Sequence, residues 1–116
     1  MSVDCVFCQI IGGKIPTKII YKDNLISVFE DIDPIAPIHY LLVPNRHIPS
    51  LNEIDAEDAG LLSHLVLVAK DFAVHTGISA TGYRLMINTG KDGSQTVDHL
   101  HMHLIGGRKL LGRIVS

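Results

Sequence analysis

The order of apolar and polar residues along the chain predicts five strands and two helices. Runs in which apolar residues alternate with polar ones, or fill a short stretch, are bounded by turn-forming residues, as expected for strands. The predicted strands cover residues 19–21, 25–29, 39–43, 83–88 and 97–105. Because only Lys22, Asp23 and Asn24 separate the first two, they form a hairpin, and the pattern favours an α+β fold with a five-stranded antiparallel sheet.

One long helix is predicted over residues 55–76, with Asp55 as N-cap and Gly77 as the stop. At 100° per residue its apolar side chains fill an arc of roughly 160°, with Leu67 outside it, whereas a one-sided helix shows a stripe of about 100°. The arc contains Leu61, Leu62, Leu65, Val66, Val68, Ala69, Phe72 and Ala73. A second copy of the helix would cover so wide an arc and predicts a homodimer, unless the N-terminal segment covers it. His64 and His75 on this helix are expected to be solvated.

The last predicted strand carries three histidines at alternate positions. Successive side chains of a strand point to opposite faces, so His99, His101 and His103 are predicted to form one row while Leu100 and Met102 face a core. The row would present three imidazoles to one site. The alternatives are a solvated strand face and a metal site, although three histidines in a row are not by themselves tetrahedral.

Composition and charge narrow the classes of function. The 116 residues include 10 Lys and Arg against 12 Asp and Glu, a formal net charge of -2. Without a basic stripe, nucleic acid is not expected as the main partner, whereas a small anion needs only local donors. The first residues do not resemble a signal peptide, and no segment reaches the roughly 20 apolar residues of a membrane span. We therefore expect one domain over residues 1–116, in the cytoplasm, with no membrane partner.

Two cysteines lie near the N-terminus, Cys5 and Cys8, on a predicted short helix that Asp4 can cap and Gly12 can end. In the cytoplasm they are expected to be reduced or metal-bound. A Cys-x-x-Cys pair is half of a tetrahedral zinc site, and because no third cysteine exists, the other ligands would be histidine or carboxylate. The rival is a thioredoxin-like redox pair, but such a pair follows a strand, and only four residues precede Cys5.

A polar loop precedes the histidine row and is a candidate phosphate cradle. Gly93 and Ser94 leave backbone N–H groups accessible, and Asn88, Gln95 and Thr96 bring neutral donors. The loop lacks the residue spacing of a Walker P-loop. On its own it is equally typical of a plain surface turn.

The segment His99-Leu100-His101-Met102-His103-Leu104-Ile105 resembles the His-φ-His-φ-His-φ-φ signature of the histidine triad superfamily of nucleotide hydrolases and transferases. The resemblance extends from Phe7 to Arg108 and is closest to the Hint branch, the histidine triad nucleotide-binding proteins. It implies an α+β fold, a homodimer and hydrolysis of purine nucleoside 5'-phosphoramidates. The alternatives are a dinucleoside polyphosphate hydrolase and a non-catalytic nucleotide-binding or scaffold protein. In the Hint branch the tail, here residues 108–116, helps to select substrates; this tail has no aromatic residue.

The resemblance also implies roles for the histidines. His101 would be the nucleophile and form a nucleotidyl-histidine that water hydrolyses, while His103 and His39 would bind the phosphate oxygens. The family's hydrolases have a histidine at the third position of the triad, here His103, whereas the related transferases have glutamine at that position. Thr96 stands where the Hint branch often has a serine that donates a proton to the leaving group.

The nucleoside would bind through Asp31 and an apolar slot. From its position alone, Asp31 is either a turn residue or a ligand of the ribose hydroxyls. The match of residues 29–34 to the family's ribose-contacting segment favours the ribose. The same match places a set of apolar residues around the purine base: Val6, Phe7, Ile10, Ile15, Phe29, Ile32 and Leu41.

A zinc site completes what the resemblance implies. Some histidine triad proteins combine the Cys pair with a histidine after the third strand and with the first histidine of the triad. Here these positions are His47 and His99. One structural Zn²⁺ per chain would then be held by Cys5, Cys8, His47 and His99, leaving His101 free.

Overall fold

The computed structural model describes residues 4–111. Its helices are α1 (Val6–Ile11) and α2 (Ala59–His75), and its strands are β1 (Ile19–Lys22), β2 (Ile26–Glu30), β3 (Ile38–Pro44), β4 (Tyr83–Met86) and β5 (Met102–Gly106). Short 3₁₀ turns lie at Leu51–Glu53, Ala56–Asp58 and Ile78–Ala80. Within residues 4–111, no helix is long and apolar enough to cross a membrane. Residues 112–116 of the predicted tail lie outside the described residues.

The strands form one antiparallel sheet with the order β1-β2-β3-β5-β4. In its register, Phe29 lies opposite Leu41 and Leu41 lies opposite His103. Asp31 directly follows β2 and lies opposite β3, because its N–H donates to the carbonyl of His39. Since alternate residues share a face, these five side chains lie on one face of the sheet. The predicted α+β fold with a five-stranded antiparallel sheet is confirmed.

A different helix covers each face of the sheet. α2 packs on one face over a core that includes Ile26, Val28, Leu42, Leu65, Val68, Ala69, Ala73, Met102 and Leu104. α1 packs on the other face in a smaller cluster of Cys5, Phe7, Cys8, Ile10, Ile11, Phe29, Leu41 and Val43. This second cluster lies on the face that carries the polar residues of the central strands, so α1 and the sheet together frame the candidate site.

α2 begins and ends close to the predicted positions. Asp55 and Asp58 form a capping box around the 3₁₀ turn that leads into the helix. Gly77, at φ +84°, follows its end in the left-handed conformation that glycine adopts without strain. The sheet covers only part of the predicted apolar arc, since Val66 remains 44% exposed; Leu67, outside the arc, is 57% exposed.

The strand predicted over residues 97–105 is wrong in its first half. β5 pairs with β3 only from Met102 onward. Continuing the same register would bring Leu100 opposite Pro44, whose nitrogen has no hydrogen to donate to the ladder. The N–H of Leu100 instead donates to the carbonyl of Ile48 at 2.7 Å. His99 therefore lies on a bent segment before the strand.

Two smaller differences concern element ends. β4 stops at Met86 rather than at Asn88. α1 is capped by Cys5, whose Sγ accepts the N–H of Cys8, and not by Asp4. The N-cap is thus itself one of the candidate metal ligands.

His64 on α2 is not solvated as predicted. Its Nε2 lies 2.6 Å from Oδ2 of Asp23, in the turn between β1 and β2, and the hydroxyl of Tyr21 donates to the same oxygen at 2.6 Å. Partial burial raises the pKa of Asp23, but the hydrogen bonds from Tyr21, His64 and two backbone N–H groups outweigh it and hold that pKa well below its usual range. This contact ties the hairpin turn to α2. His75, by contrast, is exposed.

Candidate active site and metal centre

The histidines around β3 and β5 divide into two groups. The rings of His101 and His103 lie 5.1 Å apart, and the ring of His39 lies 5.1 Å from that of His103. His99 belongs to another group, because its Nδ1 lies 3.2 Å from Sγ of Cys5. The predicted row therefore does not lie on one strand, because His99 and His101 precede β5 and only His103 belongs to it. The bend before β5 brings His99 to the cysteines and leaves two triad histidines with His39.

A backbone carbonyl fixes the ring of His101. Its Nδ1 donates to the carbonyl oxygen of His99 at 2.7 Å, so Nε2 of the neutral ring has the free lone pair that a nucleophile needs. His101 is only 5% exposed, and the ring of Phe7 packs against it edge-on at 5.0 Å. Burial lowers the pKa of His101, although the bond to the carbonyl raises it in part. The ring is therefore kept neutral and nucleophilic.

His39 and His103 form a hydrogen-bonded chain that starts at the backbone. The N–H of Ile35 donates to Nδ1 of His39 at 3.2 Å, which assigns the hydrogen of that neutral ring to Nε2. Nε2 of His39 lies 2.9 Å from Nδ1 of His103 and donates to it. The hydrogen of His103 is therefore on its own Nε2. Burial, and then the neighbouring His101 and His39, lower the pKa of His103 to about 4.

Asp31 lies beside this chain. Its Oδ1 accepts the N–H of Asp33 at 2.9 Å, and its Oδ2 lies 3.4 Å from Nε2 of His39. Asp31, His39 and His103 offer ligand atoms within 4.8 Å of one another, which is a spacing that suits a metal. A metal would need the lone pair of Nε2, but the Ile35 N–H occupies the lone pair of Nδ1 and leaves the hydrogen on Nε2. His39 and His103 are therefore joined by a hydrogen bond, with the Asp31 carboxylate beside them.

The predicted metal ligands form a compact cluster. The ligand atoms of Cys5, Cys8, His47 and His99 lie within 4.8 Å of one another, and the two cysteines are buried and not joined in a disulfide. Nδ1 of His99 lies 3.2 Å from Sγ of Cys5, 3.5 Å from Sγ of Cys8 and 3.2 Å from Nδ1 of His47. A tetrahedral ion with bonds of about 2.0–2.3 Å spaces its ligands about 3.3–3.8 Å apart, so this cluster fits one.

The second nitrogen of His99 supports the same conclusion. Nε2 of His99 donates to the carbonyl of Pro44 at 2.8 Å, which leaves Nδ1 with a lone pair for a cation. Burial lowers the pKa of His99 and keeps the ring in the neutral form that binds metals. The four side chains are thus arranged as a candidate Cys/His metal-binding cluster.

The polar loop before the histidines is folded tightly on itself. A side chain at Gly93 would collide with the backbone of Thr89, and Ser94 adopts a left-handed φ of 62°. The side chain of Gln95 accepts one backbone N–H of the loop and donates to two backbone carbonyls. The backbone N–H groups of Ser94 and Gln95 also bond within the loop. Gln95, predicted to bring a neutral donor, therefore shapes the loop instead. The prediction that the N–H of Ser94 is accessible is wrong, because it donates to the carbonyl of Lys91.

Thr96 and Asn88 lie at the two ends of this loop. Asn88 is half-buried just after β4, whereas Thr96 is exposed. Thr96 lines a cavity of about 350 Å³ together with Asp4, Cys5, Val6, His47, Val97 and Asp98. The hydroxyl of Thr96 is thus open to a ligand at the start of α1.

The apolar residues predicted around a base lie in two environments. Phe7, Ile10, Phe29 and Leu41 are buried, and Phe7 contacts Phe29 edge-on at 5.6 Å. These side chains form a buried apolar surface, and Phe7 contacts His101. Ile32 is 100% exposed and is free to contact a ligand.

Sequence reasoning missed the groups that orient the rings. The N–H of Ile35 and the carbonyls of His99 and Pro44 carry no sequence signal, because nearly every residue has such groups. It also missed Arg108, whose Nε donates to the carbonyl of Ile35 at 2.9 Å. The only available signal is the position of an arginine directly after two glycines at the end of β5.

Comparisons with known proteins agree on the family. A family model described as "Scavenger mRNA decapping enzyme C-term binding" matches residues 4–112. The purine nucleoside phosphoramidase of Escherichia coli (strain K12) is 44% identical over 110 residues, which are 95% of this chain and 92% of that protein.

Solved structures give the same result. A HIT family hydrolase from Legionella pneumophila Philadelphia 1 matches with a TM-score of 0.90 and 41% identity, covering 93% of this chain and 96% of that one. A histidine triad protein from Clostridium difficile matches with a TM-score of 0.92 and 39% identity, covering 97% and 98% of the two chains. With the histidines arranged as described, these matches show that the chain belongs to the histidine triad (HIT) family.

Proposed function

We propose that this protein hydrolyses purine nucleoside 5'-phosphoramidates to a nucleoside monophosphate and an amine. The observation that carries the proposal is His101, a buried ring whose Nδ1–H is held by a backbone carbonyl and whose Nε2 lone pair is left for attack on phosphorus. The name of the Escherichia coli relative, purine nucleoside phosphoramidase, supports the same reaction.

The reaction takes place in two steps at His101. Nε2 attacks the phosphorus and forms a new N–P bond, while the bond from phosphorus to the amine nitrogen breaks and that nitrogen takes up a proton. Water then attacks the phosphorus and the bond from phosphorus to the ring breaks, which releases the nucleoside monophosphate and the neutral ring; the proton that the water gives up replaces the one that the amine took up. The carbonyl of His99 stabilises the positive charge that the ring carries between the two steps.

Other side chains act on the phosphate and the leaving group. The Nε2–H of His103, oriented through His39, donates to a phosphate oxygen. The exposed hydroxyl of Thr96 donates a proton toward the departing amine. The polar loop completes the phosphate cradle through the side chain of Asn88, the backbone N–H of Gly93 and the hydroxyl of Ser94, while Gln95 shapes the loop.

The nucleoside binds on the face that carries these histidines. Oδ1 of Asp31 is used by its own turn, and Oδ2 accepts from the ribose hydroxyls beside His39. The base lies in the apolar slot, over Phe7, Ile10, Phe29 and Leu41, with Ile32 contacting it from the loop after β2.

The metal proposed for the Cys/His cluster is Zn²⁺, one ion per chain. Two thiolates and two imidazoles are a ligand set that zinc prefers, and four protein ligands leave no open position for a substrate or water. When bound, the ion supplies a structural cross-link. It joins the start of α1 to the segments after β3 and before β5, which include His47 and His99.

The assembly that fits the exposed surface is a homodimer in the cytoplasm. Val66, Leu67 and Val74 are 44%, 57% and 55% exposed on α2, and β4 is an edge strand. A second copy would cover the helix face and continue the sheet through β4. The two buried cysteines are not joined in a disulfide, which supports the reducing compartment.

A substrate panel tests the proposed activity. Zinc-loaded protein is assayed with adenosine and guanosine 5'-phosphoramidates and with diadenosine polyphosphates, with His101→Ala as the control for contaminating activity. We expect the highest kcat/KM for a phosphoramidate. Turnover of the dinucleotides alone would contradict the substrate class, and tight nucleotide binding without any turnover would favour the non-catalytic alternative.

A further inference from the structure

We infer that Arg108 is a positioning residue which, through the backbone of Ile35, holds His39 in the tautomer that donates to His103. The catalytic meaning of this inference rests on the proposed function. The tautomer itself is a property of the free protein and can be measured without a substrate.

The N–H and the carbonyl of Ile35 each make one hydrogen bond. Its carbonyl accepts from Nε of Arg108 at 2.9 Å, and its N–H donates to Nδ1 of His39 at 3.2 Å. Nη1 of Arg108 also donates to the carbonyl of Lys109 at 2.9 Å, which fixes the plane of the guanidinium. The N–H and the carbonyl of Ile35 belong to successive peptide planes that meet at its Cα, so Arg108 restrains the N–H by holding the second of these planes.

Packing alone does little to fix Ile35. Its side chain is 53% exposed, on the loop between β2 and β3. Gly107, at φ +94°, lets the chain after β5 cross close to this loop, because a side chain there would lie 3.0 Å from Pro37. This close crossing brings Arg108 over Ile35, so a residue far away in sequence controls the loop.

The consequence for the active site follows from the chemistry of neutral imidazole. One ring nitrogen carries the hydrogen and the other carries the lone pair. If the Ile35 N–H moves away, His39 is free to carry its hydrogen on Nδ1, and its Nε2 becomes an acceptor. Nε2 lies 2.9 Å from Nδ1 of His103, so His103 must then carry its own hydrogen on Nδ1. The donor that we assign to the phosphate is lost.

This loss should affect kcat more than KM. The charge on the phosphate oxygens is redistributed as the new bond forms, so a hydrogen bond from His103 contributes most in the transition state. A hydrogen bond of ordinary strength corresponds to a change of about three- to tenfold in rate. Arg108 itself is exposed, and its replacement leaves the two apolar cores intact.

Nitrogen-15 NMR of the imidazoles in Arg108→Met tests the inference, with zinc-loaded protein near pH 7. Lys109→Met is the matched control, because it removes the same charge from the adjacent residue. We expect Nε2–H on His39 and His103 in the wild type and in Lys109→Met. In Arg108→Met we expect a mixture of tautomers in both rings, a kcat lower by about three- to tenfold and a KM changed less than about twofold.

Several results would overturn the inference. One is Nδ1–H on His39 in the wild type. Another is an unchanged tautomer of both rings in Arg108→Met, whatever its kcat. The third is a tautomer change of the same size in Lys109→Met. A wild-type protein that cleaves no phosphoramidate would refute the proposed function instead, and the tautomer comparison would still decide the role of Arg108.

Discussion

The chemistry of the site depends, at the scale of single residues, on which nitrogen of each ring carries the hydrogen. Backbone groups decide this for the rings: the carbonyl of His99 for His101, the N–H of Ile35 for His39 and the carbonyl of Pro44 for His99. In the mechanism that we propose, the fold thus prepares His101 to attack and His103 to donate before any ligand binds. Such preorganisation is the usual source of electrostatic catalysis.

His103 should make the stability of the protein depend on pH. Its pKa of about 4 in the folded chain lies below the ordinary value of 6.5. Between these values the unfolded chain binds a proton that the folded chain does not. The free energy of unfolding should therefore fall as the pH falls from about 6.5 toward 4, by at most about 1.4 kcal/mol per pH unit for this proton.

Urea unfolding of zinc-loaded protein across this pH range measures the effect. His103→Gln is the control, because glutamine does not titrate while the metal ligands stay the same. The slope against pH should be smaller in the variant. Equal slopes in the two proteins would mean that the His103 ring does not contribute to the pH dependence of the free energy of unfolding.

At the scale of elements, three segments meet at the Cys/His cluster. Cys5 caps α1, His47 follows β3, and His99 lies on the bent segment before β5. Because β5 cannot continue its pairing opposite Pro44, this segment is free to turn His99 toward the cysteines. The metal proposed for the cluster would fix the position of the segment that carries His101.

Metal analysis of protein purified without a His-tag should find about one zinc per chain. Cys8→Ser removes one of two thiolate ligands and should lower the zinc content sharply and reduce Tm. His75→Ala, at an exposed position of α2, should retain the metal. Unchanged zinc in Cys8→Ser would exclude this ligand set, and protein free of metal as isolated would favour a free-thiol or redox pair.

The contact between α2 and the β1–β2 turn gives a second prediction at this scale. His64→Ala removes a hydrogen bond to the Asp23 carboxylate and should lower the free energy of unfolding by about 1 kcal/mol, because the pair is only partly buried. His75→Ala on the same helix should change it by less than about 0.5 kcal/mol. Denaturant titration of the two variants provides the comparison, and equal values would show that the Asp23 contact is not stabilising.

The elements were predictable because they are encoded locally, by alternation in the strands and by the caps at Asp55 and Gly77. The bend at His99 was not, since it depends on Pro44, which meets this segment only in the folded sheet. His64 was misjudged for the same reason, because its partner Asp23 is distant in sequence. The candidate metal ligands were predicted through the family resemblance, whereas the groups that fix each tautomer belong to the backbone.

At the scale of the whole molecule, one side of the fold remains apolar. The sheet buries Leu65, Val68 and Ala69 of α2 but leaves Val66 and Leu67 exposed. The neighbouring strand β4 lies at the edge of the sheet. A two-fold contact through both features would bury the apolar face and cover the edge.

Light scattering at micromolar concentration tests the dimer. The chain mass is 12.7 kDa, and we expect twice that mass for the wild type. Val66→Glu or Leu67→Glu should reduce the mass, because each buries a charge in the proposed contact. Lys14→Gln changes the net charge equally at an exposed site and should remain dimeric. A wild-type mass near 12.7 kDa would rule out the homodimer.

The proposed mechanism depends on covalent catalysis by His101. The most direct measurement is rapid quenching of zinc-loaded protein with an adenosine 5'-phosphoramidate, followed by intact mass and peptide mapping, for the wild type and His101→Ala. We predict a nucleotidyl adduct on His101 in the wild type. In the variant we predict no adduct and a kcat lower by about three orders of magnitude or more, with nucleotide affinity largely retained. An adduct on another residue, or near-normal turnover in His101→Ala, would contradict covalent catalysis by His101.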